Sequence, residues 1–486
     1  MANGVRTRKD VWKLATWDPI LKWYAAAIAE MQRRPISDPR SWRYQAAIHD
    51  YVMGRDPNEQ QGEALPGAAE RRRFWAQCQH FSWFFLPWHR MYLLHFERIV
   101  ADAVVSVGGP AGWALPYWNY SDTTNANARR IPPAFREERT PTGEPNPLLI
   151  DLRNPGCNIG DIIADPDEVD LEPALTERNF SGPGGGGGTG FGGPRTGFNH
   201  GQGQGGVLEG TPHGSMHVAV GGWMGRFNTA GLDPLFWLHH ANIDRLWSVW
   251  RARDAVNVNP TDARWLTGVR FEFHDAAGNI VVHTSKQVVE TTAVALGYQY
   301  EDITDPIGVP EAIGVGTRRP GMERQPEMVG ATEESIVLAG GQTSARIAVS
   351  PPTGPALEGP ERAAAPPRVY LNVENVTGAG DPTSYAVYLN LPPDADPAQY
   401  PDRFAGIVPM FGVAEATRAD DVHAGEGLHY TLEISKVVRA LQARNEWDPN
   451  DLRVTFVLRR RSVTAEGPES ARPAAIDVGR ISLYFG

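Results

Sequence analysis

Histidine is the residue type whose spacing in this sequence points most directly to chemistry. Seven of the 13 histidines form two groups in the N-terminal half: His49, His80, His89, His213, His217, His239 and His240. His213 and His217 are four residues apart, so on a helix their rings lie about 40° apart and can share one metal ion. His89 and His95 are six residues apart, about 240° around a helix, so His95 is not expected to join His89 at one ion.

The surroundings of these histidines favour a metal site over ordinary core packing. His80 and His89 flank the aromatic run FSWFFLPW, and His240 follows DPLFWLH. A histidine buried among aromatic side chains must find partners for its ring nitrogens or carry a desolvation cost. Backbone carbonyls are the alternative partners, but they would have to serve five or six histidines together. The sequence therefore predicts a buried histidine metal site.

The donor set indicates which metal is bound. The glutamates and Glu-x-x-His pairs of di-iron bundles are not evident, and the HExxH motif of zinc peptidases is absent. Structural zinc prefers sets that contain cysteine, whereas ligation by imidazole alone suits copper. Three histidines per ion would leave an open position on each, and two such ions side by side could bind dioxygen between them.

Helix signals surround the histidines. Asp10 is a plausible N-cap of a helix that must break at Pro19, and Pro87 fits the first turn of a helix that contains His89. Asp233 caps a predicted helix over 235–253. The first half of the chain is therefore predicted to be helical and to carry loops.

The pattern changes after about residue 265. Short alternating or β-branched segments are separated by Gly, Pro and Asp, among them VRFEFHD, RVYLNVENV, YAVYLNL, LRVTFVL and ISLYFG. They predict a mostly antiparallel, β-sandwich-like C-terminal region. Residues 181–206, with five consecutive glycines at 184–188, cannot form one regular element. Residues 350–367 are predicted to be a second loop or linker.

Composition excludes several classes of function. With 46 Lys and Arg against 57 Asp and Glu, the net charge is −11, which argues against broad binding of nucleic acid or anionic membranes. No apolar segment approaches the length of a membrane span. Two cysteines exclude a disulfide framework and favour a reducing compartment. No secretory signal is visible, so we expect a cytoplasmic, bacterial protein.

Four long motifs contain these histidines: DPRSWRYQAAIHDY, QHFSWFFLPWHRMYLLHFERI, LEGTPHGSMHVAVGG and MGRFNTAGLDPLFWLHHANIDRLWSVW. They resemble motifs of the tyrosinase / polyphenol oxidase (catechol oxidase) family, the type-3 dicopper proteins that include molluscan haemocyanins. The resemblance implies an α + β fold with a helical dicopper domain built on a four-helix-bundle core. This domain would span 1–260. An extension similar to the middle domain of the plant enzymes would span 261–326, and a C-terminal β-domain 327–486.

The resemblance also implies a ligand set for two copper ions. Copper A would be bound by His49, His80 and His89. Copper B would be bound by His213, His217 and His240. His240 is preferred to His239 because the ligand in the family directly precedes an Ala-Asn pair, and His239 is then expected near the substrate mouth.

Four further residues acquire roles by position. Glu209 matches a glutamate that orders a water near the site, although a solvated loop carboxylate is the alternative. Phe227 matches the gate residue over copper A, with ordinary core packing as the alternative. Asn242 and Asp244 would support the ligand helix through hydrogen bonds, or serve a purely structural role.

Two departures from the plant pattern bear on chemistry. The plant cysteine position is occupied by Met53, whereas Cys78 precedes His80 with the spacing that carries a thioether in fungal and molluscan members. A Cys78–His80 thioether is therefore implied, with a free buried thiol as the alternative. Gly214 and Val218, directly after the first two copper B ligands, supply no side-chain proton acceptor.

The predicted reaction is the oxidation of o-diphenols to o-quinones, with dioxygen reduced to water and with weak or absent monophenol hydroxylation (monooxygenase activity). The alternatives are a tyrosinase with full monophenolase activity, an o-aminophenol oxidase, or a haemocyanin-like oxygen carrier. Dioxygen and small phenols would be the partners, and the C-terminal domain of the same chain would cover the site and keep the enzyme partly latent.

Overall fold

The computed structural model describes residues 5–54, 60, 62–200, 203–308, 326–349, 368–419, 425–448, 451–459 and 475–486. The linker predicted at 350–367 lies outside these residues. Among the described helices, none is long and apolar enough to cross a membrane.

In the described part of the chain the α-helices lie mostly in the first half. Their bounds are α1 (Pro19–Arg33), α2 (Trp42–His49), α3 (Ala68–Phe74), α4 (Phe85–Ser106), α5 (Glu172–Thr176), α6 (Ser215–Val220), α7 (Phe227–Ala230), α8 (Pro234–Arg253), α9 (Ala263–Leu266), α10 (Val413–Thr417) and α11 (Ser435–Ala443).

The β-strands lie mostly after residue 270. Their bounds are β1 (Arg6–Arg8), β2 (Gly203–Gln204), β3 (Phe271–His274), β4 (Ile280–His283), β5 (Tyr298–Tyr300), β6 (Glu327–Ala331), β7 (Ile336–Leu338), β8 (Gln342–Val349), β9 (Val369–Gly378), β10 (Ser384–Leu389), β11 (Phe404–Pro409), β12 (Leu428–Glu433), β13 (Leu452–Leu458) and β14 (Ile476–Phe485).

Helices α1, α2 and α8 begin at side-chain caps, whereas the longest described helix, α4, does not. The Asp233 carboxylate accepts a hydrogen bond from the Leu235 amide at the start of α8, as predicted. The first helix was misplaced, because Asp10 caps only a short 3-10 turn, and α1 begins at Pro19 behind its own cap. Pro19 is therefore the first helical residue, a position that needs no amide hydrogen, and does not interrupt a longer helix.

Helices α1, α2, α4 and α8 share one apolar core, as the predicted four-helix core requires. Trp42 of α2 contacts Phe96 of α4 and Trp237 of α8, with ring centroids 5.8 and 6.2 Å apart. The Tyr24 hydroxyl of α1 donates to the Pro234 carbonyl at the start of α8, at 3.1 Å. Large rings locked between helices leave little freedom for one helix to slide along another.

A buried charge network joins α4 to α8. Arg90 donates to Asp244 at 2.5 Å, and the hydroxyls of Tyr298 and Tyr300 donate to the same carboxylate at 2.6 and 2.5 Å. Arg8 of β1 lies 3.4 Å from Asp244. Burial opposes ionisation of Asp244, but Arg90 and Arg8 outweigh it and lower the pKa of the carboxyl. The network fixes the two helices that carry His89 and His240.

The segment after α8 returns to the helical region. Strand β5 pairs in parallel with β1, and the β3–β4 hairpin packs on α4. His95 faces this hairpin, since its Nε2 lies 2.8 Å from Nε2 of His283 and its ring stacks on Phe273. The prediction that His95 points away from the metal site is confirmed.

The described residues of the C-terminal region, together with β2, form a ten-stranded sheet in the order β11-β10-β13-β8-β6-β14-β9-β12-β2, with β7 also paired to β14. Among these strands, every pairing is antiparallel except that of β12 with β2. Leu371 and Leu483 from one part of the sheet share an apolar core with Val387 and Phe456 from the other. The predicted antiparallel β-domain is therefore present, and one edge strand, β2, comes from the first half of the chain.

We expect Asp244→Asn to lower the free energy of unfolding by about 3–5 kcal/mol, because Arg8 and Arg90 would remain buried with less compensation. Since the pKa of Asp244 is lowered by folding, this stabilisation is present above pH ~4 and is lost as the pH falls further. Urea unfolding at pH 7 and at lower pH measures both effects. Asp381→Asn, at an exposed ion pair with Arg226, is the matched control and should change nothing measurable.

Candidate metal centre

The structure brings the predicted copper A histidines together from three elements. His49 is the last residue of α2, His80 lies on the loop before α4, and His89 lies in α4. Their ring centroids are 5.1 to 5.8 Å apart, and all three side chains are buried. The arrangement forms one face of a closed cluster of imidazoles.

The second group converges on the first from the opposite side. His213 lies in a π-helical turn over Glu209–Gly214, and His217 follows in α6. The two ring centroids are 4.6 Å apart, so the predicted sharing of one ion is geometrically possible although the helix is irregular. Ligand atoms of His213, His217, His239 and His240 lie within 4.8 Å of one another, and His240 forms a further such group with His49 and His89.

Most of these rings are held at one nitrogen and leave the other free. The Nδ1 atoms hydrogen-bond to backbone carbonyls: His49 to Phe227 at 2.9 Å, His89 to Phe85 at 2.8 Å, His213 to Glu209 at 3.0 Å, and His217 to Met224 at 2.6 Å. The Nε2 atoms of these rings and of His80 are buried without a hydrogen-bond partner in the described chain. A buried nitrogen without a partner is costly, and a metal ion would supply one.

Burial also fixes the protonation state that a ligand needs. It lowers the pKa of His49 to about 4. Burial, reinforced by neighbouring histidines, lowers the pKa of His80, His213 and His240 well below the usual value. Neutral imidazoles carry the lone pair that binds a metal. An all-imidazole donor set with neutral rings fits copper.

The structure differs from the expectation for His239. This residue is fully buried inside the second group instead of lying at a mouth, and its ring centroid is 4.8 Å from that of His217. His240 stacks on His89 with centroids 4.4 Å apart and lies between the two groups. Both residues offer buried ring nitrogens without partners. The choice of His240 as the ligand stays a prediction from the motif.

Cys78 lies between two histidines. Its sulfur is 3.2 Å from Nδ1 of His80, so the predicted thioether partner is adjacent, and burial raises the pKa of the thiol to about 11. The thioether itself stays a prediction. The sequence analysis missed the other neighbour, His200, whose Nδ1 lies 3.1 Å from the sulfur and whose Nε2 lies 3.6 Å from Asp50. His200 was not predicted as a site residue because it lies inside the glycine-rich segment, where no regular spacing relates it to the other histidines.

Glu209 is not a solvated loop residue. It is buried, and its Oε1 and Oε2 accept hydrogen bonds from the amides of Phe81 (2.8 Å) and Gly206 (3.4 Å). Burial raises the pKa of this carboxyl to about 8. The carboxyl lies on the wall of the cavity that reaches His213, the place where an ordered water would have to be held.

Two aromatic rings cover the histidines. Phe227, the predicted gate, stacks on His80 with centroids 4.4 Å apart. Phe411 of the C-terminal region stacks on His217, with centroids 3.9 Å apart and an interplanar angle of 9°, and contacts Phe227. Val218 belongs to the same apolar cluster. Sequence reasoning missed Phe411 because no spacing relates it to the histidines.

Gly214 has an unexpected neighbour. Its φ and ψ are −60° and −38°, an ordinary helical conformation that does not require glycine. A Cβ atom here would lie 3.0 Å from Cγ of Pro409 in the C-terminal region. Glycine at 214 therefore permits close approach of that region.

The two predicted supporting residues of α8 have different partners. Asp244 is the centre of the charge network that joins α8 to α4. Asn242 is buried near Tyr120, and it opposes the rise that burial causes in the pKa of this phenol. The Tyr120 ring lies 5.6 Å from that of His239. A supporting role of Asn242 for the helix that carries His239 and His240 stays a prediction.

A cavity of about 620 Å³ reaches the histidine cluster. Its inner end is lined by His80, His213 and Phe411, and its outer part by residues such as Arg368 and Lys436 of the C-terminal region. It therefore lies between the two halves of the chain.

Comparisons with known proteins identify the relatives of this chain. The common central domain of tyrosinase matches residues 39–184 and 187–253, and a domain of unknown function matches 325–486. Tyrosinase HcTyr1 from Hahella sp. (strain CCB-MM4) is 35% identical over 505 residues, which cover 99% of each chain. The chain belongs to the tyrosinase family. Tyrosinase-family membership makes it an oxidoreductase and implies that the histidine cluster holds copper.

Plant members share part of the chain, and their latent forms share the fold. The latent form of polyphenol oxidase from Prunus armeniaca is 30% identical over 318 residues, 60% of this chain and 47% of that protein. Latent apple tyrosinase superposes with a TM-score of 0.61 at 21% identity, covering 99% of this chain and 98% of that one. The chain therefore shares its overall fold with latent apple tyrosinase.

We expect His89→Ala and His240→Ala each to lower the copper content of the purified chain, because each removes an inward-facing imidazole. His95→Ala is the matched control on α4 and should keep the wild-type content. His239→Ala should also keep it if His240 is the ligand. Inductively coupled plasma mass spectrometry measures copper per chain. Full copper in His240→Ala, with loss in His239→Ala, would reverse the ligand assignment.

Proposed function

We propose that this tyrosinase-family chain binds two copper ions and oxidises two o-diphenols to two o-quinones while one dioxygen is reduced to two waters. The observation that carries the proposal is the buried histidine cluster, in which His213, His217, His239 and His240 form one possible ligand group and His240 also joins His49 and His89 in another. The family supplies the copper chemistry. Copper at this centre would accept the electrons of the substrate and pass them to dioxygen.

The side chains of the chain would position the substrate and exclude water. Phe81 and Phe411 line the cavity that gives access to His80 and His213, and aromatic walls suit a flat phenolic ring. Glu209 lines the same cavity and is held by two backbone amides. It would order a water that accepts a phenol proton.

The residues after the second-group histidines support a preference for diphenols. Gly214 has no side chain, and Val218 is apolar and packed in the cluster that includes Phe411. A monophenol must lose its proton before it is hydroxylated, and a positioned acceptor contributes typically about 10²–10⁴-fold to such a step. The similarity to a protein named tyrosinase supports the alternative with full monophenolase activity, so direct comparison of substrates is required.

We expect the copper-loaded protein to turn over L-DOPA faster than L-tyrosine by about 10²-fold or more, because the second acceptor is missing. Oxygen consumption and quinone absorbance measure both reactions on one preparation. Comparable turnover without a lag on L-tyrosine would establish full monophenolase activity. Reversible oxygen binding without turnover of any phenol, before and after proteolysis, would establish an oxygen carrier. An o-aminophenol in the same panel tests the remaining alternative.

The C-terminal region supports partial latency. Phe411 stacks flat on His217, in the manner a substrate ring would. The cavity nevertheless reaches His80 and His213 with this region in place, so access is restricted and not abolished. We therefore propose that Phe411 contributes to latency in addition to the covering domain.

We expect Phe411→Ala to raise the L-DOPA oxidation rate of the full-length chain several-fold, because it removes the ring that occupies the space over His217. Phe411→Leu keeps an apolar side chain of similar bulk and should remain close to wild type. Steady-state rates before and after limited proteolysis measure the effect. An unchanged Phe411→Ala rate, together with activation by proteolysis, would assign latency to the domain as a whole and not to this ring.

A further inference from the structure

The described residues of the glycine-rich segment, 181–200 and 203–206, lie between the two halves of the chain. On the side of the histidine cluster, the amide of Trp83 donates to the Pro194 carbonyl at 2.9 Å, and the amide of His80 donates to the Asn199 carbonyl at 3.3 Å. These bonds fix the segment against the loop that precedes α4. Other residues of the segment, which these bonds do not involve, face the C-terminal sheet.

The segment adds a strand to that sheet. Gly203 and Gln204 form β2, which pairs in parallel with Leu428 and His429 of β12. Without β2, β12 would be an edge strand with unpaired backbone groups, which is the kind of edge to which an added strand binds. The Gln204 side chain also donates to Thr431 of β12.

The run of glycines allows the backbone to touch large side chains of the C-terminal region. A Cβ atom at Gly187 would lie 2.5 Å from Cγ of Pro326, and one at Gly188 would lie 3.1 Å from Cε1 of Tyr370. Neither glycine has a positive φ, so the backbone conformation alone does not require glycine there. Close approach to the C-terminal region does require it.

A polar contact accompanies this close approach. The Asn372 amide of β9 donates to the Gly186 carbonyl at 3.0 Å, and the Thr431 hydroxyl donates to the Asn372 side-chain oxygen at 2.7 Å. Asn372 is buried. The hydrogen bonds fix which part of the glycine run meets β9.

Other contacts between the halves are of two kinds. Lys436 and Glu172 are exposed and 3.8 Å apart, and Arg226 pairs with the exposed Asp381. Exposed ion pairs contribute little to association. Apolar packing contributes more, because Phe81, Val218 and Phe227 share one buried cluster with Phe411 and other residues of the C-terminal region. The glycine-rich segment combines strand pairing, buried hydrogen bonds and dense packing.

We propose that the glycine-rich segment is the docking surface that retains the C-terminal domain over the metal site, independently of the chain that connects the two halves. Retention and blocking then involve different contacts, because the glycine-rich segment contacts β9 and β12 whereas Phe411 stacks on His217. A cut in the connection would leave the domain bound, and activation would need disruption of this surface as well. The inference concerns association alone and holds whatever phenol the enzyme uses.

The test uses the full-length chain with a specific protease site inserted within 309–325. After cleavage, gel filtration under native conditions should show both fragments in one peak. Gly188→Val should leave the uncut protein intact but increase the released C-terminal fragment after cleavage by about ten- to a hundredfold, because overpacking forces the surfaces apart. Gly197→Val is the matched control in the same segment, since a Cβ there meets nothing within 4 Å.

A second pair of variants separates a docking effect from misfolding. Tyr370→Ala in the Gly188→Val background removes the ring that the valine would strike and should restore co-elution of the fragments. Asn372→Ala should increase release without adding bulk to the segment. Separation of the cleaved wild-type fragments, or unchanged co-elution of both Gly188→Val and Asn372→Ala, would overturn the proposal. Elution needs neither copper nor substrate, so these results stand apart from the test of phenol oxidation.

Discussion

The metal centre depends on a single arrangement repeated around it, in which a buried imidazole is held by its Nδ1 and presents its Nε2 inward. His49, His89, His213 and His217 each use a backbone carbonyl as the holder. The carbonyls belong to different segments, so the position of each ring is set by the backbone of the fold. Because each ring is neutral and is held at Nδ1, the lone pair of its Nε2 is directed at the metal position before an ion binds.

The helices must then hold these carbonyls and rings in register. Arg90 follows His89 directly, and Asp244 lies one turn beyond His240. Their ion pair, supported by Arg8 and two tyrosine hydroxyls, therefore ties the ligand-bearing turns of α4 and α8 to each other. A buried ion pair of this kind is costly to desolvate and serves geometry more than net stability.

Much of the metal centre could be predicted from local sequence because its signals are local. The spacing of His213 and His217, the aromatic neighbours of His89, and the Asp-Pro start of α8 all act within a few residues. The contacts that cross the chain could not be predicted in this way. Phe411 is almost two hundred residues from the ring on which it stacks, and His200 meets Cys78 from within a segment of low complexity.

The start of α1 is another feature that local sequence alone does not predict. Asp10 and Asp18 both precede apolar residues and both accept amide hydrogen bonds, but only the second is followed by a regular helix. Local capping chemistry is the same at the two positions, and tertiary packing decides between them. In the C-terminal sheet, the alternation of side chains predicted strands well, whereas the pairing of β12 with β2 needed the whole fold.

The contact between Gly214 and Pro409 couples two properties that are usually considered separately. A side chain introduced at position 214 would press on Pro409 of the C-terminal region. Under the proposed function it would also stand next to the substrate, so that selectivity and self-inhibition would share one residue. A substitution at position 214 that changes the preferred phenol would therefore also change the packing of the C-terminal region against the metal centre.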